Sequence, residues 1–458
     1  MEPCISYWRF RITPVTDEAM KQTKGAALRS IVRALRHRNF RLFFVGQGIS
    51  LVGTWMQRVA VGWLVYRLTG SAFLLGVVQF AGQIPTFLLA PFAGVLADRW
   101  SRHRLLIVVQ SLAAVQALIL AYLVLTETIT VWQVIVLSIV LGLVNAFDMP
   151  VRQSFMVEMI EEKKDLGNAI ALNSSMVNIA RLLGPSVAGI LISAAGEGVC
   201  FFVNGISYVP VIASLLLMKI APRNSEAHES RVWQELKDGF GYVSGFEPIG
   251  AILLMLALVS LMGMSYPTLM PVFARDVLHG GSDSLGFLMG SSGVGALAGA
   301  LYLASRRTVL GLGKLIPLSA SVFGLGLIGF AVSRVLAASL VLMVVTGFGQ
   351  IVQMAASNTL LQTLVDDDKR GRVMSFYTMA FMGMAPIGSF MAGVLASRIG
   401  APLTVLLGGL GCLIGAVIFA RRLPRLRDKV RPVYASMGII PAITTGIDVA
   451  SELSLRDK

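Results

Sequence analysis

The sequence contains twelve long apolar runs that are almost free of charge, and each could cross a lipid bilayer as a helix. A hydrocarbon core of about 30 Å needs about 20 apolar residues per helix. Only helices and closed barrels satisfy every backbone group inside it, and continuous runs favour helices over a barrel. The runs cover 40–66, 72–97, 105–126, 131–157, 168–195, 199–219, 249–275, 284–305, 312–333, 336–364, 373–398 and 402–420, with ends uncertain by a few residues. The sequence therefore predicts an all-α membrane protein with twelve transmembrane helices.

The composition supports this class. Hydrophobic residues make up 55% of the chain and charged residues 14%, whereas an average soluble domain has about 25% charged residues. The three cysteines and four histidines show no metal-ligand spacing, so we expect no metal site and no cofactor. The first 38 residues contain no apolar core of a signal peptide, so we expect the first span to act as an uncleaved insertion signal.

The net charge of +14 follows the positive-inside pattern and does not indicate a nucleic-acid partner. Four of the 39 Lys and Arg residues fall at the predicted outer ends of spans, and three more lie within or near the ends of spans. The remainder lie in segments that are cytoplasmic if the N-terminus is cytoplasmic, because Lys and Arg resist translocation. We therefore predict a multi-pass protein of the bacterial cytoplasmic (inner) membrane with both termini cytoplasmic.

The chain divides into two halves of six spans. The longest polar interruption follows the sixth span, and 231–240 within it is predicted to form an amphipathic helix on the membrane surface. Two motifs of the first half occur again in the second half, at an offset of about 204 residues. This pattern is typical of the parallel repeats of a transporter. The predicted units are a basic N-terminal segment 1–38, a first bundle 39–219, a cytoplasmic linker 220–247, a second bundle 248–423 and a C-terminal tail 424–458.

The loop between the second and third spans carries the most specific motif, Gly94-Val95-Leu96-Ala97-Asp98-Arg99-Trp100-Ser101-Arg102-His103-Arg104. This motif resembles the loop signature of the major facilitator superfamily, with Ser101 in place of a glycine. The resemblance implies two six-helix pseudo-symmetric bundles and a cytoplasmic conformational latch made by Gly94, Asp98, Arg99, Arg102 and Arg104. The alternative is a charged turn that serves topology alone.

The fifth span contains Gly184-Pro185 and Gly189. The spacing resembles the glycine-proline motif of the superfamily's drug and proton antiporters, although alanine replaces several of its glycines. Segments of the first and fourth spans, 46–66 and 145–153, resemble the transmembrane secretion effector group, which includes siderophore exporters similar to the enterobactin exporter. This resemblance covers roughly residues 38–423 and implies an antiporter with a bent fifth helix.

Charged residues inside the spans indicate where a site lies, because they face a partner or an aqueous cavity by default. Asp148 and Arg152 are spaced i, i+4, so they either form a local pair or couple transport to protons through a changing pKa of Asp148. Arg58 and Arg181 are candidates for holding an anionic or catecholate-like substrate. Gln57 and Asn145 add uncharged hydrogen-bonding groups to this predicted substrate cavity.

The sequence therefore predicts a secondary transporter that exports a small amphipathic molecule, such as a drug, a siderophore or a secondary metabolite, in exchange for protons. Uptake by proton symport and a non-transporting membrane sensor are the alternatives. The chain has no phosphate-binding loop, nucleophile elbow or zinc-protease motif, so neither an ATP-driven pump nor an enzyme is expected. The expected partners are the small-molecule substrate, protons and the bilayer, with the monomer as the functional unit.

Overall fold

The computed structural model describes residues 33–218, 241–306, 308–366 and 369–437, without the side chains of 90–99 and Lys163. The described part of the chain is almost entirely helical and contains no strand. Its helices are α1 (Arg38–Thr69), α2 (Ala72–Arg99), α3 (Arg102–Leu125), α4 (Val131–Glu158), α5 and α6 (together Leu166–Leu217), α7 (Glu247–Val277), α8 (Ser282–Ala304), α9 (Leu312–Val332), α10 (Leu336–Leu364), α11 (Arg370–Ile399) and α12 (Ala401–Ser436).

Gly196 separates α5 from α6. Its φ of 83° and ψ of 170° are non-helical, and only glycine adopts this backbone conformation without strain. A continuous helix of 52 residues would be about 78 Å long, more than twice the thickness of the hydrocarbon core. The chain therefore reverses at Gly196, and 166–195 and 197–217 are two spans.

Ten helical segments of the described chain are long and apolar enough to cross a membrane. The α5–α6 pair counts once among them, and α1 is not included. The 32-residue α1 carries buried Gln47, Ser50 and Gln57, and it packs extensively against the α5–α6 pair. With α1 and both members of that pair, the fold has the twelve spans that the sequence predicts.

The twelve helices form two six-helix bundles, α1–α6 and α7–α12. Within the first bundle α1 packs on the α5–α6 pair and α2 on α4; within the second, α8 packs on α10 and α9 on α12. The bundles meet mainly where α2 packs on α11 and α5 packs on α8. The counterpart of α2 in the second bundle is α8, and the counterpart of α5 is α11. The α2–α11 contact is therefore equivalent to the α8–α5 contact, and the interface has the pseudo-twofold symmetry of a parallel repeat.

We call the side of the molecule that carries Arg33 and Ser436 the proximal side, and the opposite side, which carries the turns at Gly70, Gly196 and Gly400, the distal side. Glycines bring the bundles together in the distal halves of the helices. A Cβ on Gly76 would lie 2.9 Å from Cα of Gly393, and one on Gly189 would lie 2.8 Å from Cα of Gly286. Such contacts leave no room for a side chain, so the distal side is closed.

On the proximal side, Asp165 ties the start of α5 to the segment that precedes α1. Its fully buried carboxylate lies 2.5 Å from Arg33 Nε, 2.7 Å from Arg36 Nη2 and 3.0 Å from His37 Nε2. In the corresponding loop of the second bundle, Asp366 accepts a hydrogen bond of 3.3 Å from Tyr242, which precedes α7. In each half, an acidic residue of this loop therefore contacts the segment that precedes the first helix of its bundle.

Two helices of the second bundle contain wide π-helical turns, at Val259–Gly263 and Phe273–Val277 in α7 and at Met379–Gly383 in α11. Such turns displace backbone hydrogen bonds and occur frequently at functional sites. The buried hydroxyl of Ser260 donates a hydrogen bond of 2.5 Å to the carbonyl of Phe381. One π turn therefore satisfies a backbone group of the other.

The last helix differs from the predicted span, because α12 continues to Ser436, past the predicted end of the span near 420. Lys429 lies 2.5 Å from Glu247 at the start of α7, and Leu426 is buried. These tertiary contacts hold the basic extension as a helix. The amphipathic helix predicted at 231–240 lies outside the described residues, as does most of the linker 220–247.

Candidate functional site

Asp148 lies in a buried polar cluster inside the first bundle. Gln110 on α3 donates a hydrogen bond of 2.7 Å to Asp148 Oδ1, and Arg152 Nη2 lies 3.3 Å from Asp148 Oδ2. The residue is 9% exposed, and the carbonyl oxygen of the buried Gln110 amide makes no hydrogen bond among the described residues. The local pair with Arg152 is therefore present, and Gln110 adds a partner that the spacing did not predict.

Arg58 and Arg181 both lie against the indole ring of Trp55. The guanidinium carbon of Arg58 is 4.7 Å from the ring centre and that of Arg181 is 5.2 Å from it. Trp55 and Arg58 are three residues apart on α1 and so share a helix face, whereas Arg181 comes from α5. The Arg58 side chain is exposed and that of Arg181 partly exposed, and neither has a carboxylate partner among the described residues. The structure thus brings these two predicted residues together through an aromatic ring.

Tyr208 on α6 connects this pair with the Asp148 cluster. Its hydroxyl lies 3.3 Å from Thr54 Oγ1, one residue before Trp55. The hydroxyl is within electrostatic range of both Asp148 and Arg58, and Arg58 is within range of Arg152 and Arg181. The charged residues of α1, α4 and α5 therefore belong to one interacting group.

The second bundle contributes Tyr266 of α7 to the same region. Its hydroxyl is 2.8 Å from Ser292 Oγ and 3.5 Å from Gln350 Oε1, which places polar groups of α7, α8 and α10 together. Tyr266 is within electrostatic range of Arg181. Arg181 of the first bundle and Tyr266 of the second therefore interact electrostatically across the boundary between the bundles.

The two predicted amides lie in different surroundings. Gln57 is 2% exposed; it donates a hydrogen bond of 3.0 Å to Gln116 and accepts one of 2.6 Å from Asn204. These bonds hold α1, α3 and α6 together inside the first bundle, so the amide of Gln57 is occupied there. Asn145 is partly exposed and makes no hydrogen bond among the described residues, which leaves its amide available.

The loop between α2 and α3 is described only in part. Gly94, Asp98 and Arg99 belong to α2, but their side chains lie outside the described residues. Arg102 Nη1 lies 2.7 Å from Glu158 Oε1 at the proximal end of α4, and Arg104 is exposed. The ion pair between Arg102 and Glu158 therefore lies within the first bundle.

The Gly184-Pro185 motif packs α5 against two different helices. A Cβ on Gly184 would lie 3.0 Å from the Val52 carbonyl and would overlap Trp55 Cβ on α1, while the Gly189 contact faces α8. Pro185 lies within the helix, where it cannot donate a backbone hydrogen bond. Both glycines are thus needed for close packing, one beside Trp55 and one at the bundle interface.

Three residues of this region received no role from the sequence: Trp55, Tyr208 and Tyr266. The i, i+3 spacing of Trp55 and Arg58 was available in the sequence as evidence for a cation–π pair. Tyr208 and Tyr266 carry no such local pattern, because their partners come from other helices.

The chain is similar to several transport proteins over most of its length. It is 25% identical to the staphyloferrin A transporter of Staphylococcus aureus, with 83% of this chain and 95% of the relative covered. It is 24% identical to macrolide efflux protein A of Streptococcus pyogenes, with 82% and 94% covered.

A solved structure has the same fold. The bacterial homologue of the human lysosomal transporter Spinster, in an inward-facing and unoccupied conformation, superposes with a TM-score of 0.68 at 13% identity and covers 86% of this chain and 98% of its own. The transmembrane secretion effector family matches residues 30–436, nearly the whole described chain. The chain has two six-helix bundles, with charged residues inside the spans of the first. It belongs to the transmembrane secretion effector family of the major facilitator superfamily.

Proposed function

We propose that the protein is a secondary active exporter of a small amphipathic molecule, such as a drug, a siderophore or a secondary metabolite, and that it works by alternating access. The observation that carries this proposal is a group of charged residues in the middle of spanning helices, beneath a closed distal interface. A charge at the centre of a span costs about 2.5–3.5 kcal/mol on insertion scales and marks a transport path by default. The two relatives are a staphyloferrin A transporter and a macrolide efflux protein, and the second of them supports export.

The proposed substrate cavity lies between the bundles and is bounded by Arg58 and Arg181 on one side and by Tyr266 on the other. Asn145 is retained as a cavity residue because its amide has no partner among the described residues, whereas Gln57 is not retained. The distal contacts close one end of this cavity. Separation of those contacts, together with closure of the proximal side, would carry the substrate across.

Protons are the proposed coupling ion, with Asp148 as their carrier and Arg152 as its partner. Gln110 suits both protonation states of Asp148. Its amino group donates to the carboxylate, and its carbonyl, free among the described residues, would accept from the protonated acid if the amide turned over. The electrostatic connection through Tyr208 supports communication between Asp148 and Arg58.

The proximal side is proposed to be the cytoplasmic side of a bacterial inner membrane. Arg67, Arg275, Arg334 and Arg398 lie near the distal ends of their helices, whereas most Lys and Arg residues lie in proximal or terminal segments. With this orientation the distal closure corresponds to an inward-facing state. The loop with Gly94, Asp98, Arg99, Arg102 and Arg104 would latch this side in the outward-facing state, and the Gly184-Pro185-Gly189 helix would contribute the antiporter-type bend.

Transport assays test this function directly. Proteoliposomes that contain the purified chain should move a panel of drugs and siderophores only when a proton gradient is imposed, and an efflux-deficient bacterium that expresses the protein should accumulate less of the same compounds. Accumulation in the expressing cells above that of the empty host would instead indicate uptake. Absence of any gradient-dependent movement across the panel, with correctly folded protein, would contradict the proposal.

A further inference from the structure

The positive charges of the proposed cavity exceed its negative charges. Arg58, Arg152 and Arg181 interact electrostatically with one another or with Asp148, and Asp148 is the one carboxylate among the described residues of this group. Arg152 is compensated by Asp148, so Arg58 and Arg181 have no counter-charge within the described part of the chain. Two like charges at this depth repel each other and are costly to hold in a membrane. A bound anion would remove both penalties.

Trp55 determines where these two charges are. Its side chain packs with Leu51, Met176 and Ala180 at the crossing of α1 and α5, and Gly184 provides the space for it. The flat guanidinium groups that lie against an aromatic ring are held with less freedom than solvated side chains, and their N–H groups remain available for paired hydrogen bonds to an acid group. Trp55 thus presents two anion-binding groups at one position.

Arginine is well suited to this task because its planar fork binds carboxylate through two parallel hydrogen bonds. One acid group would satisfy one guanidinium and leave the other uncompensated. Two acid groups on one molecule would satisfy both. The site therefore favours a molecule with at least two acid groups over a monoacid, and it opposes a lipophilic cation of similar size.

We propose that Arg58 and Arg181 bind a small organic anion with at least two carboxylate groups, and that Trp55 is the positioning residue that sets the selectivity for such an anion. This inference rests on the proposed export function, since it names the substrate class of the same cavity. It assigns direct contact with the substrate to the two arginines. The indole acts through them.

Equilibrium binding to the purified full-length protein in detergent tests the proposal without requiring transport. The probes are carboxyfluorescein, an organic polyanion, and ethidium, a cation, each followed by fluorescence anisotropy. Wild-type protein should bind carboxyfluorescein more tightly than ethidium. Arg58→Gln and Arg181→Gln should each weaken carboxyfluorescein binding by about tenfold or more, because each removes a charged hydrogen-bonding partner. Arg334→Gln, at a distal turn, is the matched control and should bind normally.

The role of Trp55 is tested by selectivity, which a loss of packing alone would not change. Glutarate and valerate, a dicarboxylate and a monocarboxylate with the same number of carbons, compete with carboxyfluorescein in this measurement. Wild-type protein should prefer glutarate. Trp55→Leu should lose that preference while its affinity for valerate changes little, and Trp55→Phe should restore part of it.

Tighter binding of ethidium than of carboxyfluorescein by the wild-type protein would overturn the proposal, as would unchanged carboxyfluorescein affinity in both glutamine variants. Should a glutamine variant fail to fold, Arg58→Lys and Arg181→Lys provide a second test, because lysine keeps the charge and lacks the planar guanidinium group. Unchanged carboxyfluorescein affinity and unchanged glutarate preference in both lysine variants would also overturn the proposal. Gradient-driven transport of ethidium without anion binding would refute the anion site and leave export standing. Anion binding without any transport would support the anion site and contradict the proposed export function.

Discussion

Tyr66 at the distal end of α1 donates a hydrogen bond to the carboxylate of Asp276 at the distal end of α7, and so joins the two bundles. The Arg275 guanidinium lies 5.9 Å from the centre of the Tyr66 ring. A second interbundle bond, from Ser282 Oγ to the Gly189 carbonyl at 3.4 Å, lies on the same side. Alternating access requires these contacts to break when the distal side opens.

Tyr66→Phe should shift the protein toward distal-open conformations. A hydrogen bond to a charged group contributes about 1.5–3 kcal/mol, so we expect the closed-to-open ratio to fall by about tenfold or more. Spin labels attached to cysteines introduced at the distal ends of α1 and α7 should lie farther apart in this variant, as measured by pulsed electron–electron double resonance. Tyr122→Phe, at an exposed distal position of α3, is the control, and equal distance distributions in both variants would show that the bond does not hold the closed state.

Asp148→Asn should abolish proton-driven export while the abundance of the protein stays normal. Asparagine keeps the size of the side chain and can still accept a hydrogen bond from Gln110, but it does not exchange a proton. Transport into inverted vesicles with and without a pH gradient measures the effect. Glu127→Gln in an exposed distal turn should transport like the wild type. Gradient-dependent transport at the wild-type rate by Asp148→Asn would remove this residue from the coupling role.

Gly189→Val should prevent full closure of the distal side. The added side chain would meet the backbone of Gly286, which cannot move aside as a flexible side chain could. We expect a large loss of transport and increased labelling of engineered distal cysteines. Gly167→Val places the same side chain where no atom lies within 4 Å and should retain most activity. Normal transport by Gly189→Val would mean that the glycine contact is not needed.

Asp98→Ala should shift the protein toward inward-facing conformations if the proximal loop is a latch. The carboxylate at this helix end would interact favourably with a neighbouring helix N-terminus or with basic groups of the other bundle when the proximal side closes. Labelling of single distal cysteines should therefore decrease relative to the wild type. Unchanged labelling would leave the loop with a role in topology alone.

Asp165→Asn should lower the melting temperature at neutral pH. Burial disfavours the charge of Asp165, but the hydrogen bond with His37 and the charges of Arg33 and Arg36 outweigh burial and hold the pKa of this carboxyl below its ordinary value of 3.8. A carboxyl whose pKa is lower in the folded state stabilises the protein above its unfolded pKa, and this stabilisation is lost as the pH falls through the folded pKa.

The difference in melting temperature between wild type and Asp165→Asn should therefore shrink below about pH 3.8. The half-exposed Glu162, which pairs with Arg36 and Lys164, serves for comparison, and Glu162→Gln should have a smaller effect. A difference that stays constant from neutral pH down through this range would indicate a packing effect instead of a charge effect.

Much of the fold was predictable because the spans obey a local rule. Lipid offers no hydrogen bonds, so each crossing segment must satisfy its own backbone and must be continuously apolar. The helix pair around Gly196 and the boundaries near Gly70 and Gly400 follow from this rule. The π turns at Val259–Gly263 and Met379–Gly383 do not, because the bond from Ser260 to Phe381 that accompanies them joins distant parts of the chain.

The candidate site was predictable by residue type and less so by arrangement. Depth within a span identified Arg58, Asp148 and Arg181 as residues that need a partner. Depth does not say which way a helix is rotated about its axis. Gln57 therefore resembled a cavity residue in the sequence, although it bonds to Gln116 and Asn204 inside the bundle.

The sequence by itself determined the membrane class, the number of spans and the presence of charge inside them, since each depends on the composition of one short segment. Only the tertiary structure decided that Trp55 lies between Arg58 and Arg181 and that Tyr66 reaches Asp276. These contacts join helices that are distant along the chain. They depend on helix rotation and on close approach at glycines such as Gly184 and Gly189, and both are set by packing among several helices at once.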